Sequence, residues 1–162
     1  MSFDIPQWIS TIGGLVGLGG LVPWLGNRHH QVRDKLNKQR IDAFRDVFAA
    51  IGQLRSTGNQ LDQNWDWNTP PSTQSVGPTV DALKRAYEVV EQQRNDTGAP
   101  FAEAALFVVE FWDRHVNNLW ERDYRAELSP PLANREALLL QAIPDEFRKQ
   151  VAPGFAIEKR AS

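Results

Sequence analysis

The sequence predicts an all-α protein: one N-terminal transmembrane helix followed by an antiparallel bundle of about four helices. Three observations predict it. Residues 5–26 form a 22-residue run without a charged side chain, the length a helix needs to cross a bilayer. Directly after it, residues 28–40 carry five Lys or Arg and one Asp, a net +4; residues 41–162 carry 13 basic and 18 acidic side chains, a net −5. Beyond that basic collar, apolar residues recur with helical period, and no stretch sustains the period-two alternation of a half-buried strand.

The charge-free run comes first. Trp8 and Trp24 bracket it, about 24 Å apart at helical rise, the placement of tryptophans near two membrane interfaces. Ile9, Ile12, Leu15, Val16, Leu18, Leu21, Val22 and Leu25 supply apolar surface. Gly13 and Gly17 make a G-x-x-x-G pair, and Gly20 falls on the same side of the helix. Burial in lipid gives no reason to choose glycine, whereas close helix–helix approach does. These three glycines are therefore the expected packing surface for a second copy or another membrane protein. A secretory signal needs a basic start, but the chain opens MSFDIPQ. A dinucleotide fingerprint would need glycine where Val22 stands, and a phosphate loop would need a Lys-Ser/Thr pair that is absent. The remaining alternative is a soluble helical protein that buries this segment.

The basic collar sets orientation. Arg28, Arg33, Lys35, Lys38 and Arg40 follow the run, and no Lys or Arg precedes it. The positive-inside rule then places the N-terminus outside the cell membrane and the rest in the cytoplasm. With Trp8 and Trp24, these five cations are the expected membrane-interface residues, and lipid is an expected partner. The expected division is residues 1–27, tail and membrane helix, and residues 28–162, a cytoplasmic helical domain.

Residues 29–57 read as its first helix, with Leu36, Ile41, Phe44, Val47, Phe48, Ile51 and Leu54 on one arc. Two readings stand at its start: it continues directly from the preceding run, or it breaks at Pro23 and Gly26. Residues 64–78 read as a loop rich in Pro, Gly and polar residues. Thr79 is then the expected N-cap of a helix over 80–95, with Val80, Leu83, Ala86, Tyr87 and Val90 inward. The stretch NDTGAP marks a turn. A helix over 100–123 carries the broadest stripe: Phe101, Ala105, Leu106, Val108, Val109, Trp112, Val116, Leu119 and Trp120. Ser129 is the expected cap of a helix ending near 142; a short helix over 145–152 and a C-terminal tail follow.

Candidate chemistry is sparse. With no cysteine, thiolate catalysis and Cys-based metal sites are excluded. His29 and His30 lie in the collar, and His115 lies at the edge of the broad stripe. A di-metal bundle needs Glu-x-x-His pairs, but Asp113 stands three places after Glu110. The layout, a small helical bundle joined to a membrane helix, resembles that of some HEPN-type ribonuclease effectors. Their Arg-then-His signature, four to six residues apart, does not occur at any of the three histidines, so the resemblance implies no catalytic residue. Arg33, Arg40 and Arg55 fall inside the apolar arc of the first helix, and Arg94 does so on the second. Arginines there suit an anionic ligand, a partner's carboxylates or internal pairing. Trp65 and Trp67, in the loop, suit a partner's anchor or a lid over the bundle.

The expected function is association without catalysis, either as a homo-oligomeric membrane effector or as an accessory subunit. The alternative is a membrane-tethered enzyme or anion-binding domain built on Arg40, Arg55 and Arg94. No cofactor, metal or nucleic acid is expected.

Overall fold

The computed structural model describes residues 21–66, 68–69, 71–121 and 127–151, with side chains from residue 31 onward. Among these residues every regular element is helical: α1 (Leu21–Asn64), α2 (Thr73–Gln92), α3 (Arg94–Thr97), α4 (Ala99–Trp120), α5 (Leu132–Gln141) and α6 (Asp145–Val151). The all-α expectation is met. The chain divides into two units, Met1–Gln39 and Arg40–Ser162. The expected membrane helix lies outside the described residues, apart from the backbone of residues 21–26. Among the described residues no helix is long and apolar enough to cross a membrane.

Of the two readings at the start of the first helix, continuation holds for the described residues: α1 runs through Pro23 and Gly26 without a break. A single Pro or Gly lowers helix stability without forbidding a helix whose neighbouring turns are formed. The same helix continues past Gly52 and Gly58 to Asn64, beyond the expected end at 57.

Within Arg40–Ser162 the core forms where the periodic faces meet. From α1, Phe44, Val47, Ile51, Leu54 and Leu61 are buried, and from α4, Phe101, Ala105, Val108, Val109, Trp112 and Val116. Helix α4 also packs on α2, α3 and α5, which makes it the central element. The Phe44 ring meets Phe101 edge-on at 4.7 Å, an arrangement that adds about 0.5–1.5 kcal/mol to burial alone. Further along the pair, Gly58 abuts the Trp112 indole: a Cβ at Gly58 would collide with the ring. Only glycine permits this approach. Two expected core residues are outside it. Trp120 is 49% exposed at the last position of α4, and Leu36 is 54% exposed in a segment, residues 31–36, whose side chains all face solvent.

Two helix starts are corrected. Helix α2 begins at Thr73, not after Thr79. Ser72 caps it: its Oγ accepts from the Ser75 N–H at 3.2 Å, and the Ser75 Oγ accepts from the Ser72 N–H at 3.2 Å. This reciprocal capping satisfies two N–H groups that would otherwise lack partners. Residues 73–78 are therefore helix and not loop; Val76 and Thr79 are buried, extending the inward face by a turn. Likewise Ser129 does not cap α5. Pro131 occupies the N-cap position without a side-chain bond, and the Ser129 carbonyl instead accepts from Arg135 Nη2 at 3.1 Å. The turn expected over NDTGAP shrinks to Gly98, because Asn95, Asp96 and Thr97 are helical and Ala99 and Pro100 already belong to α4. The one-turn helix α3 ends at Gly98, whose φ of +88° disfavours any side chain, and α4 starts at the next residue with Pro100 in its first turn.

Candidate functional site

An apolar groove of about 210 Å³ lies between α1, α5 and α6. Phe48, Ile51 and Gly52 form its α1 side, Leu139 and Leu140 its α5 side, and Val151 its end. Phe48 and Ile51 lie on the inward face of α1, and Leu139 and Val151 are buried in the core. Gly52 contributes no side chain, and a Cβ there would meet nothing within 4 Å.

Its rim is polar. Arg55 Nη1 donates to Glu136 Oε1 at 3.1 Å, with the two side chains 48% and 24% exposed. Pairs this wet contribute at most about 1 kcal/mol, so the bridge can open without unfolding the domain. An apolar floor and one cation–anion pair on the rim suit a hydrophobic side chain on a short segment. They supply no nucleophile and no acid–base pair.

Arg40, Arg55 and Arg94, the arginines of the alternative reading, do not all come together at one place. Arg40 lies over the Phe147 ring, 4.9 Å from its centroid, and its Nε donates to the Asp96 carbonyl at 3.2 Å. Arg55, on the groove rim, is fifteen residues further along α1, about 22 Å at helical rise. Arg94 pairs with Glu91 on its own stretch of chain at 3.3 Å. Arg33, Lys35 and Lys38 are exposed. Trp65 is half-buried and packs against the core, between two shallow clefts. Trp8, Gly13, Gly17, Gly20 and Trp67, and the side chains of Trp24 and Arg28, lie outside the described residues.

The arginine that sequence reasoning missed is Arg135, which is 1% exposed. No carboxylate neutralises it at contact distance among the described residues. Nε donates to the Pro130 carbonyl at 2.9 Å, Nη1 to the Phe107 carbonyl at 2.7 Å and Nη2 to the Ser129 carbonyl at 3.1 Å. Its guanidinium lies 4.0 Å from the Phe107 ring centroid. Burial, then the nearby Arg114, pull its pKa below the ordinary arginine value, and Glu110 opposes them. Three carbonyls and an aromatic face hold the cation and tie the loop before α5 to α4. Arg135 falls between positions that read as helix surface, and nothing in the spacing marks it as inward.

His115 has a defined partner too. Its Nε2 lies 2.6 Å from Asp62 Oδ1, and its ring stacks at 9° on Phe111. The pair joins α4 to the end of α1 in a packed aromatic setting. Among the described residues no three His, Asp or Glu side chains gather into a metal-binding group. No protein-family model, no curated protein and no solved structure matches this chain.

Proposed function

We propose that this protein is a single-pass membrane protein whose helical domain faces the cytoplasm and acts by association, with itself or with another membrane protein. The observation that carries this reading is the order of chemistry along the first 40 residues: a charge-free run, then five cations in thirteen positions. The described part of that collar supports it. Arg33, Lys35 and Lys38 are exposed, where they can meet anionic headgroups. Val32 and Leu36, one turn apart in the same segment, are 53% and 54% exposed, leaving apolar surface for a second copy or a lipid interface. The Gly13, Gly17, Gly20 strip supplies the close-packing face within the membrane.

Flotation of native membranes, followed by crosslinking, tests both halves. The full chain is expected to float with vesicles, to stay bound in high salt and carbonate, and to give a crosslinked ladder. Gly17→Ile keeps the run apolar while filling the strip, so flotation is retained and the ladder is lost. A chain that stays in the aqueous fraction overturns the anchor; a ladder unchanged by Gly17→Ile overturns this face as the contact.

A further inference from the structure

We infer that the exposed strip of α1 carrying Val32 and Leu36, with Arg33 and Lys35 on its two flanks, is a contact surface for anionic phospholipid and not for a second copy of this chain. The inference deepens the membrane reading and rests on it for the nearness of a bilayer. It uses the unit Met1–Gln39 alone.

The two apolar side chains are bare. Val32 is 53% and Leu36 54% exposed, and all the side chains of residues 31–36 face solvent. One helical turn apart, the pair lie within about 40° of each other around the axis and form one narrow strip. The charges are arranged about it. At helical period, Lys35 falls about 60° beyond Val32 on one side, and Arg33 about 60° beyond Leu36 on the other. Asp34, the one acid of residues 31–39, falls on the opposite face. Cations therefore border the strip on both sides, and the anion is turned from it.

That border decides between the two occupants an exposed apolar strip could take. Two copies packed strip to strip in parallel set the Lys35 flank of one against the Arg33 flank of the other. Packed antiparallel, they set Arg33 against Arg33 and Lys35 against Lys35. Either way like charges meet. An anionic lipid surface answers both flanks together: Val32 and Leu36 enter the boundary between headgroups and acyl chains, while Arg33 and Lys35 lay their stems along it and reach phosphates on either side. The charge-free run ends at Gly26, six positions before Val32, so this strip is the first described apolar surface beyond it. The contact also fixes how this part of α1 leans. An upright helix carries Leu36 about 15 Å beyond Gly26, clear of a headgroup layer about 5–8 Å deep. Leaning strip-side down brings Leu36 to the lipid and lifts Asp34 into water.

The chain has no cysteine, so a single nitroxide can be attached to the full chain at Leu36→Cys or at Asp34→Cys. Each labelled chain is mixed with phosphatidylcholine vesicles, with and without phosphatidylglycerol, and collisions with a water-soluble nickel chelate are measured after flotation. With phosphatidylglycerol, position 36 is expected to be shielded and position 34 accessible; without it, both are accessible. Adding Arg33→Gln and Lys35→Gln to Leu36→Cys should weaken the contact about fivefold per cation removed and expose the label again. Equal accessibility at the two positions in anionic vesicles overturns the inference. Shielding at position 36 in neutral vesicles, or shielding that survives loss of both cations, overturns the assignment to anionic lipid. Stronger spin–spin broadening at position 36 than at 34 overturns it too and makes the occupant a second copy. Flotation separates this inference from the anchor it rests on. A chain that floats with both kinds of vesicle but shows no shielding keeps the anchor and loses the strip. A chain that floats only with phosphatidylglycerol and is released by salt, with position 36 shielded, loses the anchor and keeps the strip. One that floats with neither overturns both.

Discussion

At the scale of single residues, Gly52 and Gly58 separate two uses of one amino acid. Both lie on α1, six residues apart. A methyl group at Gly58 would run into the Trp112 ring, whereas one at Gly52 would enter open space. Gly58→Ala is therefore expected to destabilise the domain by about 1–3 kcal/mol through overpacking. Gly52→Ala should stabilise it by about 0.5–1 kcal/mol through helix propensity. Urea midpoints of the two variants, moving in opposite directions, check the pair. The sequence shows both glycines equally and marks neither as the packing residue, because the difference lies in a partner on α4 more than fifty positions away. For the same reason Arg135 escaped notice while Arg40, Arg55 and Arg94 stood out. Those three sit on visibly apolar arcs, yet Arg135 is the one sealed away from water. Tyr87 carries a pH signal. Burial, with Asp113 and Glu110 nearby, raises its phenol pKa above 10.0. The unfolded chain then ionises first, so this residue's contribution to stability is complete below pH about 10 and falls as pH rises towards the folded value. Alkaline denaturation followed by circular dichroism should be shifted to higher pH in Tyr87→Phe, and an unchanged profile would count against the coupling.

At the scale of elements, the helices with the strongest periodic stripes were legible. The helix expected over 100–123 is α4, at Ala99–Trp120, because its stripe is continuous and Gly98 and Pro100 mark its start. Helix α2 was legible only in its second half. Gly77 and Pro78 look like loop punctuation, yet they lie inside the helix, after a cap made by two serines where a Ser–Glu pair is the usual sign. Here tertiary burial of Val76 and Thr79 outweighs the local cost of proline. Ser72→Ala should remove about 1 kcal/mol of stability and fray residues 73–78 before the rest of α2. Amide hydrogen exchange resolves that order; uniform loss of protection along α2 would show that the cap does not govern its start. The groove could not be foreseen from any one element. Its walls come from three helices, with Gly52 among the lining residues.

At the scale of the whole molecule, what the sequence made legible was the class of fold; membrane placement and association belong to the proposal and rest on the flotation and crosslinking outcomes. The central position of α4 has a further consequence, in the order in which the domain comes together. Its contacts with α2, α3 and α5 join segments that are neighbours along the chain, so they close short loops at small entropic cost. The contacts that tie α1 to the C-terminal helices span far more chain: 81 residues for Arg55–Glu136 and 105 for Arg45–Gln150. Topology of this kind favours a nucleus built around α4, with the ends joining after the rate-limiting step. Val109, fully buried at its centre, should report on that nucleus: Val109→Ala is expected mainly to slow refolding. Glu136→Ala should leave refolding nearly unchanged and quicken unfolding. Stopped-flow chevrons of the two variants would show the shift in opposite arms; a slowed folding arm for Glu136→Ala would mean that the long closure comes first, and that the chain must find its distant end before its middle can set.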